Sequence, residues 1–328
     1  MDYIKLIGGL ILLVISGDYL VRGGVAIATR LKISALVIGM TVVAFGTSAP
    51  EFLVSLQAAM KGNSEIAIGN VVGSNIANIG LILGITALIY PLTIARNSIR
   101  IDWPVMMAVT LLFTICASFG SITRWEGITG FILLLLFTFW QIRNSRKEHR
   151  GEDEEPIEKN APLWLALLYI GGSAAGLAYG ADFLIEGASN IAKSFGVSER
   201  VIGVTIVAFG TSLPELAASV SAALKRQTDI AFGNVLGSNI FNILCVVGLT
   251  SLIKPIPVEW LSFRYDFICM ILFSLALFLL LIPVSERVFG RNKTESLQLK
   301  GLFSYGRLGR LGGFTLLVCY IYYIYTLF

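Results

Sequence analysis

A chain of 328 residues that is 55% hydrophobic and only 14% charged is far from the composition of a soluble domain, in which charged residues make up about 25%. Most of it is therefore dissolved in lipid, and its 25 Lys and Arg against 21 Asp and Glu, a formal net charge of +4, inform through their placement more than their sum. Cys116, Cys245, Cys269 and Cys319 stand singly in apolar runs and His149 has no partner nearby, which excludes a disulfide framework, a histidine metal site and a Ser-His hydrolase.

In chain order, apolar runs occupy residues 3–28, 34–60, 65–92, 102–119, 125–142, 162–190, 200–224, 229–254, 265–283 and 309–328. Each is close to the ~20 residues a helix needs to cross hydrocarbon. None shows the ~10-residue alternation of barrel strands, and a helix satisfies its own backbone where water is absent. The expected fold class is all-α: a polytopic membrane protein of ten transmembrane helices. The opening MDYIKLIGGLILLV runs on to Ala28 without a small-residue cleavage site and reads as a retained span, not a signal peptide.

Residues 1–142 form a first five-helix unit, 143–161 a charged cytoplasmic linker, and 162–328 a second five-helix unit. Most Lys and Arg fall on the cytoplasmic side if the N-terminus is outside. Both termini are then extracellular, in a multi-pass protein of the cell membrane. The mixed charges of RNSRKEHRGEDEEPIEKNAP suit a solvated connection and lack the glycine-centred spacing of an EF-hand loop.

The two units repeat one another. Glu215 stands 164 positions after Glu51 (215 − 51), and the same offset, without a gap, lays IGMTVVAFGTSAPE on IGVTIVAFGTSLPE and IAIGNVVGSNIANI on IAFGNVLGSNIFNI. Asp18 falls on Asp182, Pro91 on Pro255, Arg100 on Arg264 and Asp102 on Asp266. Five spans are an odd number, so the second copy enters the membrane from the opposite side. Inverted repeats build transport sites at the bilayer midplane from interrupted helices.

Within each copy, Thr47, Ser48 and Glu51 share a helix face, as do Ser74 and Asn78; Thr211, Ser212, Glu215, Ser238 and Asn242 repeat both arrangements. Pro50 and Pro214 have no N–H to give the preceding turn, so each helix is expected to kink and free backbone carbonyls. A carboxylate near the bilayer centre costs at least ~2.5–3.5 kcal/mol. No Lys or Arg occurs within residues 33–60, 62–95, 201–224 or 227–253, and Arg22 lies near enough to the end of its span to snorkel out. A proton or a bound cation must supply the compensating charge.

Carboxylate, hydroxyl, amide and carbonyl oxygens are hard ligands, suited to Ca²⁺ or Na⁺. Glu51 and Glu215 together match the charge of one Ca²⁺. An empty cavity holding two carboxylates resists rearrangement and a filled one is near neutral, so only loaded states cross over. This predicts antiport of Ca²⁺ against a monovalent cation and leaves Na⁺ and H⁺ open. A passive channel would gather ligand rings along an axis normal to the membrane, and Ser48 and Ser212 have no histidine or lysine base in their spans, so neither a channel nor an enzyme is expected.

The two GTSxPE segments (GTSAPE, GTSLPE) and the two GNxxGSNxxN segments (GNVVGSNIAN, GNVLGSNIFN) resemble the α-repeats of the Ca²⁺/cation antiporter superfamily, specifically its sodium/calcium exchanger branch of prokaryotic type. The resemblance runs from about Gly17 to Trp103 and again up to Phe267. It implies ten helices whose α-repeat spans form the core, with spans one and six sliding across them. It further implies that Glu51 and Glu215 are shared by Ca²⁺ and Na⁺, and that the carbonyls of Thr47 and Thr211 are Ca²⁺ ligands. Ser48, Ser74 and the Ala44 carbonyl match one peripheral Na⁺ site, Ser212, Ser238 and the Ala208 carbonyl its mirror image, and Asn78 and Asn242 the central polar pair.

Potassium-dependent relatives carry Asp where this chain has Asn242, which points away from K⁺ co-transport. The GNxxE pattern of proton/calcium exchangers is not present at GNVVGSN or GNVLGSN, which favours Na⁺ over H⁺. The linker is too short for the Ca²⁺-binding regulatory domains of animal exchangers. The partners implied are Ca²⁺, Na⁺ and the lipid bilayer, with no cofactor and no nucleic acid, in a monomer. Asp18 and Asp182 are expected to be paired near span ends. Asp102 and Asp266 are expected at helix N-termini, and Asn70, Asn75, Asn234 and Asn239 to tie spans together by hydrogen bonds.

Overall fold

The computed structural model describes residues 1–148, 162–196, 210–281 and 306–327; His149, Ala208 and the linker beyond Glu148 lie outside the described residues. The chain is almost wholly helical. The helices are α1 (Asp2–Leu31), α2 (Ala35–Thr47), α3 (Ala49–Met60), α4 (Ser64–Ile89), α5 (Ser98–Ser118) and α6 (Arg124–Glu148), then α7 (Leu163–Ser194), α8 (Leu213–Leu224), α9 (Thr228–Ile253), α10 (Trp260–Leu281) and α11 (Arg310–Thr326). With α2 and α3 as two halves of one span and α8 in the seventh, these helices fill the ten spans read from the sequence.

Two helices make the centre. Of the most apolar stretch of α4, and equally of α9, 78% is buried inside the protein, against 17% for α6 and 22% for α7. The outer helices turn side chains such as Leu136, Phe139, Leu279 and Tyr322 outward, where lipid takes the place of a protein neighbour.

Glycine sets how the two long outer helices meet. A Cβ on Gly9 of α1 would lie 2.6 Å from Leu184 N and 2.7 Å from Gly180 O of α7. One on Gly187 would lie 2.7 Å from both Asp2 O and Leu6 N. The two backbones are thus in direct contact, as small residues permit in lipid, and Lys5 pairs with Glu186 across the same interface. Midway along its length, not near the span end expected for Asp18, α1 is tied to the end of α8: Asp18 pairs with Arg22 at 2.8 Å and with Lys225 at 2.6 Å, and Lys225 Nζ also donates to the Asp18 carbonyl at 2.8 Å. Arg22 is thereby held by Asp18 and lies over the Tyr19 ring. The mirror residues Asp182 and Lys61 are both exposed and have no ion pair among the described residues.

The halves are intertwined. β1 (Leu92–Ile94) pairs antiparallel with β4 (Gly306–Leu308), and β2 (Ser121–Ile122) with β3 (Ile256–Pro257). Each ladder joins the loop after the central helix of one repeat to the segment entering the last helix of the other. Accordingly α11 packs on the end of α4, and α6 on the end of α9. These short strands are an addition to the all-α architecture that the apolar runs did not signal.

Two expectations require correction. The linker does not begin at residue 143: residues 143–148 continue α6 with Arg143, Arg146 and Lys147 exposed, and Ser145, buried, accepts the Ser34 N–H at 2.7 Å while Arg146 Nε donates to the Leu31 carbonyl at 3.1 Å. Nor are Asp102 and Asp266 helix-terminal. Asp102 ends a π-helical turn, Ser98–Asp102, that runs into the next helix, and it accepts Gln141 Nε2 at 2.9 Å. Asp266 lies inside α10 and accepts the Tyr323 hydroxyl at 2.7 Å. A buried carboxylate is kept by a partner from a neighbouring span, and that outweighs any helix-end preference here.

Candidate functional site

The four spans that carry the repeated motifs converge at the centre. The first motif helix breaks at Ser48, where α2 and α3 meet at 46°, because Pro50 in the first turn of α3 has no N–H for the Gly46 carbonyl. The break places Glu51 in the opening turn of α3, and Pro214 does the same for Glu215 in α8. Both carboxylates are buried, at 1% and 0% exposure, and Ser48, three residues before Glu51, reaches Glu215 Oε1 at 3.2 Å.

Their supports obey the repeat. Asn70 Nδ2 donates to the Glu51 carbonyl at 3.1 Å and to Ser55 Oγ at 2.9 Å. Asn234 Nδ2 donates to the Glu215 carbonyl at 3.3 Å and to Ser219 Oγ at 3.0 Å. Each glutamate is thus fixed to the central helix of its own half by a backbone bond, which leaves the carboxylate free for other work. Asn78 and Asn242 each open a π-helical turn, Asn78–Leu83 and Asn242–Val247. Such turns widen a helix by one residue and recur at functional sites.

Thr47 Oγ1 has the Ala44 carbonyl of its own helix at 3.3 Å and, across the halves, Asn234 Oδ1 at 3.2 Å, two acceptors that share its one proton, and lies 3.4 Å from Ser238 Oγ. Ser48 Oγ donates to Glu215 Oε1 at 3.2 Å. The structure therefore brings Ala44, Thr47, Ser48, Glu215 and Ser238 together, and Asn78 and Asn242 into a cross-repeat set with Asn75 and Asn239. The second half is arranged differently. Thr211 is only half-buried, and Ser212 lines a cavity of about 290 Å³ with Gly69, Gly73, Ala77, Asp266 and Tyr323. Ser74 is buried on α4, and Ala208 lies outside the described residues.

The electrostatics follow from what these oxygens lack. Glu51 Oε2, Glu215 Oε2, Asn78 Oδ1 and Asn242 Oδ1 are all buried without a hydrogen-bond partner. Among the described residues no Lys or Arg is paired with either glutamate, and no group of three His, Cys, Asp or Glu gathers elsewhere. The two carboxylates, each with an unpartnered oxygen, and the two unpartnered amide oxygens form a hard-oxygen set that a cation completes and a hydrogen-bond acceptor does not.

The model of the family described as sodium/calcium exchanger protein matches residues 2–143 and 165–328, almost the whole chain. The chain belongs to this family. Among its relatives within and around the family, the sodium/calcium exchanger MaX1 of Methanosarcina acetivorans is 35% identical, over 84% of this chain and 90% of its own. CaxA of Alkalimonas amylolytica is 39% identical over 98% and 96%. A solved structure of the sodium-calcium exchanger NCX_Mj, soaked with 2.5 mM Na⁺ and 0.1 mM Ca²⁺, superposes with a TM-score of 0.80 at 30% identity, covering 100% of this chain and 98% of that one. As a sodium/calcium exchanger family member the chain is a multi-pass membrane antiporter of Ca²⁺ and another cation, built on the ten-helix inverted repeat.

The sequence reading missed the π-helical turns at Asn78 and Asn242, and it treated Asn75 and Asn239 as general ties between spans. The signal that could have marked them is the spacing SNxxN in both copies, which puts two amides about one helical turn apart on one face.

Proposed function

We propose that the chain exchanges Ca²⁺ for Na⁺ at a site centred on Glu51 and Glu215, with the two glutamates binding each ion in turn. The single observation that carries this reading is the pair of buried carboxylates with no basic partner among the described residues, on helices packed by the turns that hold the two unpartnered amide oxygens. Two negative charges are neutralised by one Ca²⁺ or by several monovalent ions. Either filling lowers the cost of moving the site through a low-dielectric interior, whereas the empty site keeps the full repulsion.

Around the pair, the Thr47 and Thr211 carbonyls act on Ca²⁺. Ser48, Ser74 and the Ala44 carbonyl serve one peripheral monovalent position, Ser212, Ser238 and the Ala208 carbonyl its mirror, and Asn78 and Asn242 face both. These groups transport; they have no place in a covalent reaction. Na⁺ in preference to H⁺ is supported by the position of the glutamates in GTSxPE and by the sodium/calcium exchange named for MaX1.

The decisive experiment is flux in proteoliposomes. Vesicles loaded with Na⁺ and diluted into Na⁺-free medium take up ⁴⁵Ca²⁺, with no uptake when K⁺ replaces internal Na⁺. Uptake that follows an imposed pH gradient and ignores Na⁺ makes H⁺ the coupling ion instead.

A further inference from the structure

The orientation of the four central asparagines is fixed by a chain of constraints, each visible in the structure. Asn239 Nδ2 donates to the Asn75 carbonyl at 3.4 Å and to Met106 Sδ at 3.6 Å. Its mirror, Asn75 Nδ2, donates to the Asn239 carbonyl at 3.3 Å and to Met270 Sδ at 3.8 Å. A carbonyl oxygen and a thioether accept but cannot donate, so neither amide can turn over: its oxygen would then face two acceptors. With its NH₂ committed, Asn239 presents Oδ1 to Asn78, whose Nδ2 donates there at 2.9 Å. In the other half, Asn75 Oδ1 takes Asn242 Nδ2 at 3.1 Å.

The consequence falls on the remaining atoms. With their nitrogens held, Asn78 and Asn242 can turn only oxygen the other way, and both Oδ1 atoms are buried and unpartnered. The turn opened by Asn78 packs on the helix of Glu215, and that opened by Asn242 on the helix of Glu51. An unlocked amide would instead offer N–H to those carboxylates, an internal partner that competes with the ion.

We propose that Asn75 and Asn239 are positioning residues for transport, holding the Asn242 and Asn78 amides with oxygen toward the ion so that the site offers acceptors alone. The inference rests on the reading that Glu51 and Glu215 hold the cation, and it assigns the task to two residues that need not touch it. Each half locks the other, since every bond in the set joins the two repeats.

The test is a double-mutant cycle on the full chain in detergent, with Ca²⁺ affinity read by titration calorimetry and ion-free stability by thermal unfolding. Asn239→Leu, of similar size but without an acceptor, frees Asn78 to turn, and Ca²⁺ binding is expected to weaken about tenfold. In an Asn78→Ala background there is no amide at that position to turn. There Asn239→Leu is expected to change affinity by less than about threefold. Equal weakening in the two backgrounds, or no weakening in either, overturns the proposal, because a purely structural role acts alike in both. Asn75→Leu with Asn242→Ala poses the same question through the other repeat should the first set fail to fold. Glu51→Gln run alongside separates the readings: Ca²⁺ binding kept there removes the carboxylate site itself, whereas binding lost there with Asn239→Leu neutral removes only the lock.

Discussion

Ser48 Oγ donates to Glu215 Oε1 at 3.2 Å, so a hydroxyl from the first repeat's motif holds the carboxylate of the second. No matching bond joins Ser212 to Glu51, and Ser212 faces a cavity instead. The two halves share a sequence pattern and yet stand in different environments. An alternating-access carrier shows this inequality whenever it is caught open to one side more than the other.

Glu51→Gln and Glu215→Gln are each expected to lower Ca²⁺ uptake to below about one hundredth of wild type, a loss of about 3 kcal/mol or more of ion binding. Both proteins should still fold. Because each change removes a buried, unpaired carboxylate, the ion-free protein should unfold at a higher temperature than wild type, and the stabilisation by added Ca²⁺ should vanish. Thermal unfolding with and without Ca²⁺, beside ⁴⁵Ca²⁺ flux, reads both effects; wild-type exchange in either variant would refute the ligand assignment.

Ser48→Ala removes one hydrogen bond to Glu215 and leaves the charge. The expected cost is about 1 kcal/mol, or several-fold in apparent ion affinity. Ser212→Ala is expected to cost less in the conformation described here, as its hydroxyl faces open space. A dose–response of exchange against Na⁺ concentration compares the two, and identical curves would show that the asymmetry has no functional weight.

Asp18 is about one-third exposed at its side chain and Lys225 about one-quarter, so their bond contributes little to global stability, within about 1 kcal/mol. Its effect should be local. Lys225→Met is expected to leave the unfolding temperature nearly unchanged and to raise amide hydrogen exchange in α1 around Asp18, where the helix loses its tie to α8. Unchanged exchange along α1 would mean that packing alone keeps the helix in place.

Gly8 and Gly9 make a matched pair. A Cβ on Gly8 meets nothing within 4 Å, whereas one on Gly9 runs into the backbone of α7. Gly8→Ala is expected to be neutral and Gly9→Ala to destabilise by about 1–3 kcal/mol, the usual cost of overpacking. Purified yield and unfolding temperature of the two variants give the comparison, and equal behaviour would contradict the close contact of α1 and α7.

Much of this molecule can be read without coordinates. Run length gave the spans, the offset between Glu51 and Glu215 gave the inversion, and Pro50 marked the helix break at Ser48. Each of these is a local or periodic property, written within one turn or one repeat. Glu51 and Glu215 could be singled out as well, since a carboxylate in an apolar run without nearby bases already states its electrostatic problem.

The tertiary structure alone decided which groups answer one another. Asp102 finds Gln141 and Asp266 finds Tyr323, although both had read as helix-end residues, and residues 143–148 extend α6 to dock at the α1–α2 corner. The polarity of the central amides is the sharpest case, because an asparagine letter carries an oxygen and a nitrogen without saying which way either points. That choice is made by partners 161 to 167 residues distant, when two inverted halves close on each other and carbonyls and sulfurs that can only accept leave each amide a single orientation.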